Sequence, residues 1–319
     1  MFVFNATLIY FSSEVKPYIC DVLAITSIYY VILRKYEKVE NKYYLLGIIG
    51  TISIFLSFAT PIILFSCGIY LGYTYLLNAK LNLKYIASVF LVWAGIFLIY
   101  YYFFVYNHPS AYNFKNYWSR ENTFMPINPF IVDFYQFHFD KIKMIFDKLL
   151  NFGDLSRYVL LSLCLTGFVY LLNKKSVGMI ILLILPIFIH LIISAFHLYP
   201  FYIRLILYTI PIIIIVAAYG FDYFNKIVFN DLKISRLRLL SFIIPFVIIS
   251  SSPWYSFPYR REEIKDSIRF IQKNIKKDHN IYVYYAASEA YEYYEQIGFT
   301  DFFVPIIYGE SNRNHNIGY

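Results

Sequence analysis

The sequence predicts a mainly α, polytopic helical membrane protein of about eight transmembrane helices, with a small C-terminal α/β extracytoplasmic domain. Three observations predict it. Of 319 residues, 59% are hydrophobic and 15% are charged, where a soluble domain averages about 25% charged, and the mean hydropathy is +0.54. Apolar residues gather in runs long enough to cross a hydrocarbon layer. Near residue 252 that pattern stops and short amphipathic stretches replace it.

Residues 1–17 read as an outer-face remnant of an upstream span and loop, because Phe2 to Tyr10 is apolar but too short to span. The membrane domain covers 18–252, with spans expected at about 18–33, 43–59, 62–77, 85–106, 155–172, 177–196, 205–221 and 239–252. The connections alternate in charge. One set holds Arg34, Lys35, Lys38 and Lys42, then Lys80 and Lys84, then Lys174 and Lys175, then Lys226, Lys233, Arg236 and Arg238. Such cation-rich loops are expected on the cytoplasmic side. The Thr60-Pro61 hairpin, the long 107–153 loop and the His197 to Arg204 turn are then expected outside, with both chain ends.

The long loop is amphipathic. Phe130 to Leu150 places apolar residues near helical spacing, which predicts an interfacial helix lying on the membrane. Asp140, Lys141, Lys143, Asp147 and Lys148 form its expected solvated face. Ahead of it, Tyr117, Trp118 and Arg120 offer an aromatic and basic rim suited to a sugar ring or polyprenyl tail, an interfacial anchor being the commoner role of such residues.

Residues 253–319 form the expected exported domain. Ile264, Ile268, Ile271 and Ile275 mark one apolar face of an amphipathic helix. Asp278-His-Asn reads as a turn, Ile281-Tyr-Val-Tyr-Tyr as a strand, Ser288 as the cap of a helix to Gln296, and Phe302 to Tyr308 as a second strand. No clear closing element precedes Tyr319, so the chain is expected to be a fragment.

The net charge of +8 would favour nucleic acid in a soluble chain. Here the cations lie in short loops between apolar runs, so orientation in a membrane accounts for them and no nucleic-acid partner is expected. Cys67 and Cys164 lie within apolar segments and Cys20 begins one, a spacing that gives neither a disulfide framework nor a metal site. Met1 to Tyr10 lacks the basic start and small-residue cleavage site of a signal peptide.

Arg204 is the only charged residue between Val177 and Asp222. A lone cation between two apolar runs is a functional-site hypothesis by default. His190, His197 and Arg204 recur every seven residues and would form one stripe if Pro200 only kinked a helix.

Three stretches carry a family resemblance: Tyr10-Phe-Ser-Ser-Glu-Val-Lys-Pro-Tyr-Ile-Cys-Asp21, Leu198-Tyr-Pro-Phe-Tyr-Ile-Arg-Leu-Ile-Leu-Tyr-Thr-Ile-Pro211, and Arg261-Glu-Glu-Ile-Lys followed by Ile281-Tyr-Val-Tyr-Tyr. The first resembles the second outer loop of bacterial GT-C fold membrane glycosyltransferases, the family 39 type related to protein O-mannosyltransferases and aminoarabinose transferases. The resemblance implies inverting transfer of a sugar from a polyprenyl-phosphate donor to a lipid, glycan or protein acceptor on the outer face of a bacterial plasma membrane. The family's general base is a carboxylate of the first outer loop, for which this chain offers no counterpart.

Within these residues, Glu14 and Asp21 are seven apart and would share a face of one continuous helix unless Pro17 interrupts it. That pair would assist catalysis by binding a divalent cation or polarising an acceptor hydroxyl. Otherwise Glu14 pairs with Lys16 and Asp21 caps the span. Lys16 and Arg204 would cradle the lipid phosphate, with Tyr18 and Tyr202 completing the substrate site. Snorkelling to the interface is the plainer role for Arg204. The alternatives are a polytopic transporter or flippase for lipid-linked sugars, although no internal repeat is visible in the sequence, and a non-catalytic membrane fragment.

Overall fold

A computed structural model describes residues 2–14, 16–36, 39–77, 83–107, 117–119, 122–150, 154–229, 248, 264–300 and 302–309. The chain divides into two compact units, Met1–Phe257 and Pro258–Tyr319.

The first unit is built of helices. A short helix, α1 (Ala6–Ser13), starts at Asn5, whose Oδ1 accepts from the Leu8 N–H at 2.8 Å. The Asn5 side chain also donates to Leu150 O at 2.6 Å and Leu149 O at 3.3 Å, so one buried amide caps two chain segments at once. Pro17 precedes α2 (Tyr18–Leu33), and α1 and α2 are bent by 118° relative to one another. There follow α3 (Val39–Leu56), α4 (Thr60–Leu77) and α5 (Leu83–Tyr100), the last continuing in wider π-helical turns to Tyr106. The expected interfacial helix is α6 (Val132–Met144), which also widens to Leu149. After it come α7 (Asp154–Asn173), α8 (Val177–Ala195) and α9 (Thr209–Phe229).

Among the described residues, five helical stretches are long and apolar enough to cross a membrane, and six if the bent α1–α2 pair is one span. Helix α3 is not among the five, because Glu40, Asn41 and Lys42 occupy its first turn and shorten its apolar run. The expected span at 239–252 falls outside the described residues except for Ile248. Helix α5 lies at the periphery, with Leu91, Leu98 and Ile99 at 71%, 64% and 62% exposure. Apolar exposure on that scale suits a lipid environment.

Two apolar cores hold the bundle. One gathers Ile25, Ile28, Leu46, Ile63, Leu182 and Ile212; the other gathers Phe11, Leu149, Leu160, Phe201, Ile206 and Ile210 near the α1 end. Helices α7 and α9 approach most closely at two glycines. A Cβ on Gly167 would strike the Val216 carbonyl, and one on Gly220 would strike the Leu163 carbonyl and Thr166 Oγ1. Small residues at such crossings let helix backbones meet directly.

Pro186 lies inside α8. It lacks the N–H that would have bonded the carbonyl four residues earlier, and that carbonyl, Leu182 O, accepts the buried Tyr29 hydroxyl from α2 instead. The tyrosine thus replaces the missing helical donor and ties α2 to α8.

Helix α8 closes with a Schellman cap. Leu198 N–H reaches Ile193 O at 3.1 Å and His197 N–H reaches Ser194 O at 2.9 Å, which puts His197 at a left-handed φ of 56°. The chain leaves the helix there, so the stripe expected through His190, His197 and Arg204 does not form. His197 instead stacks on Phe124 at 4.5 Å. The span expected at 205–221 also starts later: Ile203–Leu205 is a single 3-10 turn and α9 begins at Thr209.

The second unit contains α10 (Ile264–Asn274), β1 (Ile281–Val283), α11 (Ser288–Gln296) and β2 (Ile306–Tyr308). The strands pair in parallel, Ile281 with Ile306 and Val283 with Tyr308. Ile268, Ile281, Val283, Tyr291 and Val304 form its core. Both strands are shorter than the sequence suggests. Ser288 is not the cap of α11: Ala287 holds that position, while the Ser288 hydroxyl donates back to Tyr285 O at 2.7 Å.

Candidate functional site

Arg204 stands on the 3-10 turn between α8 and α9. Its guanidinium carbon lies 4.7 Å from the Trp118 ring centroid and 5.6 Å from that of Tyr18. Two aromatic faces fix the cation by its π-attracting plane. Its Nε is buried without a hydrogen-bond partner among the described residues. Trp118 also meets Tyr202 at 5.4 Å and Tyr117 at 5.1 Å, so four of the residues singled out from sequence form one contact group around the arginine.

The supporting contacts explain why Trp118 is held there. Thr123 Oγ1 donates to Trp118 O at 2.7 Å, and Thr123 O accepts the Phe201 N–H at 2.9 Å. Ser194 Oγ accepts the Met125 N–H at 3.1 Å and reaches Thr123 O at 3.4 Å. The end of α8, the loop after Trp118 and the turn leading to Arg204 are therefore laced together through two buried hydroxyls.

His190 anchors the turn from below. Its Nε2 faces Pro200 O at 3.1 Å and its Nδ1 faces the Tyr208 hydroxyl at 2.9 Å. A carbonyl only accepts, so Nε2 donates to it and Nδ1 accepts from Tyr208. Both ring nitrogens are satisfied, and the role is structural. Tyr199 lies against the same ring at 4.9 Å. Burial raises the Tyr199 phenol well above its ordinary range, and the neighbouring Asp21, Tyr208 and Tyr18 push in the same direction. It stays a neutral hydroxyl, and its buried oxygen has no partner among the described residues.

Asp21 is 4% exposed on the first turns of α2. It does not cap the helix, a position that Pro17 occupies. Ser57 Oγ lies near its carboxyl without closing a bond of normal geometry. Tyr18 is the common neighbour of the group, within electrostatic range of Arg204, Glu14, Asp21 and Tyr117.

Glu14 and Asp21 do not share one helix face, because the chain breaks between α1 and α2 and Glu14 ends the first helix. Its carboxylate accepts from the Tyr10 hydroxyl at 2.6 Å. Lys16 is exposed, and no contact among the described residues brings it to Arg204. Arg120 lies outside the described residues. Among those described, no three His, Cys, Asp or Glu side chains cluster as metal ligands.

The expected polar face of α6 is only partly solvated. Arg157 of α7 forms an ion pair with Asp147, and Lys141 donates to Asn122 O at 3.1 Å with its ammonium 4.9 Å from the Phe137 ring. Sequence reasoning gave no role to Tyr208, Ser194 or Thr123, and to Tyr199 only a place beside Arg204 at the interface. Tyr and Thr abound in this chain, and only the fold distinguishes these four from the rest.

No family model, curated protein or solved structure matches the chain.

Proposed function

We propose that this protein works as an inverting membrane glycosyltransferase, moving a sugar from a polyprenyl-phosphate donor to an acceptor hydroxyl, with Arg204 holding the donor phosphate. The supporting observation is the arginine itself: fixed between Trp118 and Tyr18, with a buried Nε that has no partner among the described residues. A buried N–H of that kind favours an oxygen ligand, because leaving it unmade is costly. The Tyr199 hydroxyl, within electrostatic range of Tyr18, is a second donor with no acceptor among the described residues.

In such a reaction the acceptor oxygen attacks the anomeric carbon as the bond to the phosphate oxygen breaks. The leaving phosphate gains a negative charge, and a guanidinium placed at that oxygen stabilises the charge as it develops. Asp21, buried beside Tyr18 and Tyr199, is the carboxylate best placed to position or deprotonate an acceptor hydroxyl. Glu14 supports from the rim, and Tyr117, Trp118 and Tyr202 offer ring faces to the sugar. The reading includes an eight-span topology, with the Arg204 turn, α6 and the second unit on the outer side of a plasma membrane.

The test is sugar transfer from a radiolabelled polyprenyl-phosphate donor in membranes carrying the protein. Arg204→Ala is expected to lower transfer at least a hundredfold, the scale of losing one such stabilising donor set, with membrane insertion intact. Unchanged turnover at limiting donor would remove the proposal. Translocation of the labelled lipid without transfer would instead establish a flippase.

A further inference from the structure

We infer that the far end of α2 holds a second lipid site, one that binds the phosphate headgroup of an anionic phospholipid. Helix α2 spans 16 residues from Tyr18 to Leu33, roughly 24 Å at 1.5 Å per residue, so Arg34 lies at the opposite end from the Arg204 group. Two adjoining cavities meet there and share Leu33 and Arg34.

The first, of about 450 Å³, is lined by Arg34, Lys35, Lys42, Tyr36, Tyr70 and Thr74 among others. Three cations and no carboxylate face it among the described residues. Lys42 uses one of its three N–H donors on Ile32 O at 2.7 Å, which leaves two. Arg34 gives one N–H to the Tyr30 hydroxyl at 2.7 Å and stacks against the Tyr30 and Tyr36 rings at 5.5 and 5.7 Å, so its planar fork is held in place. The Tyr36 hydroxyl is buried with no partner among the described residues. Cation-rich loops orient a membrane protein wherever their cations point. Three of them converging on one cavity, beside a tyrosine hydroxyl that lacks a partner, goes beyond that requirement.

The second cavity, of about 580 Å³, runs along α2 and α9 past Thr26, Tyr29, Tyr30, Pro211 and Ile215. Its polar groups are already engaged: Thr26 Oγ1 donates to Val22 O at 2.7 Å, Tyr29 to Leu182 O, and the Tyr30 hydroxyl accepts from Arg34. The groove therefore offers apolar contact to a hydrocarbon chain, while the adjoining cavity offers donors to a phosphate. That pairing of a cationic cavity with an apolar groove is complementary to one phospholipid, and a soluble phosphate would leave the groove unused.

The experiment measures binding of the purified protein to phosphatidylglycerol and to phosphatidylcholine, each titrated in neutral detergent, with inorganic phosphate as a third arm. Phosphatidylglycerol should bind at least tenfold more tightly than phosphatidylcholine. An Arg34→Gln/Lys35→Gln variant should weaken it about thirtyfold, the loss expected for two cations at a lipid phosphate. Equal affinity for the two lipids, or inorganic phosphate competing as well as the lipid, overturns the inference. A photoactivatable phosphatidylglycerol carrying its reactive group on the acyl chain tests the unmutated protein. Labels should map to residues 26–33, 211 and 215, and labels confined elsewhere would contradict the site.

Discussion

Replacing Tyr29 by Phe removes one oxygen, and the structure sets the size of the effect. Tyr29 is 3% exposed and Leu182 is fully buried, and the carbonyl it serves has no helical donor because residue 186 is proline. Interhelical hydrogen bonds in membranes average about 0.6 kcal/mol with a maximum near 1.7, whereas leaving a buried carbonyl unsatisfied costs about 1 to 3 kcal/mol. With no alternative donor, Tyr29→Phe should lie near the top of the membrane range, at about 1.5 kcal/mol. In a Pro186→Ala background the restored N–H can bond Leu182 O within α8, and the same substitution should then cost less than about 0.5 kcal/mol. The assay is reversible unfolding in mixed micelles of the four proteins of this double-mutant cycle. Equal costs of Tyr29→Phe in both backgrounds would refute the claim that the tyrosine substitutes for the missing proline donor.

Gly220→Val should weaken the α7–α9 crossing by about 1 to 3 kcal/mol, because the new side chain meets the Leu163 carbonyl; Gly72→Ala in α4, where a Cβ meets nothing within 4 Å, should be neutral or slightly stabilising in the same thermal denaturation series. Asn5→Ala removes the cap of α1 and the donor to Leu149 and Leu150, so a loss of about 2 to 4 kcal/mol is expected, with limited proteolysis reporting release of the first 13 residues. Ser194→Ala should cost about 1 kcal/mol by removing the acceptor of the partly buried Met125 N–H, and it should raise the KM for donor more than it lowers kcat, since it loosens the strap that holds Trp118 over Arg204.

The helical, membrane-spanning character of the chain was legible from run length and charge content alone. The span boundaries were less so. Apolar periodicity continued through Leu198 to Leu207, but the Schellman cap at His197 and the 3-10 turn at Ile203 depend on hydrogen bonds that hydropathy does not encode. Pro17 carried the signal for the α1–α2 break, and that break is what separates Glu14 from Asp21. Around Arg204 the sequence pointed to Tyr18, Tyr117, Trp118 and Tyr202 as residues of one kind of chemistry, and the fold places all four in one group. The residues that hold them, Thr123, Ser194, His190 and Tyr208, work through individual hydrogen bonds, some between positions about 70 apart, which leave no periodic trace.

The most direct test of the Arg204 assignment compares equilibrium binding of a polyprenyl monophosphate with that of the matching polyprenol, in the unmutated protein and in Arg204→Gln. The two ligands differ only by the phosphate, so their affinity ratio isolates its recognition from burial of the tail. At least tenfold preference for the phosphate is expected in the unmutated protein, and near-equal binding of both ligands to Arg204→Gln. A preference that survives the substitution would contradict the assignment.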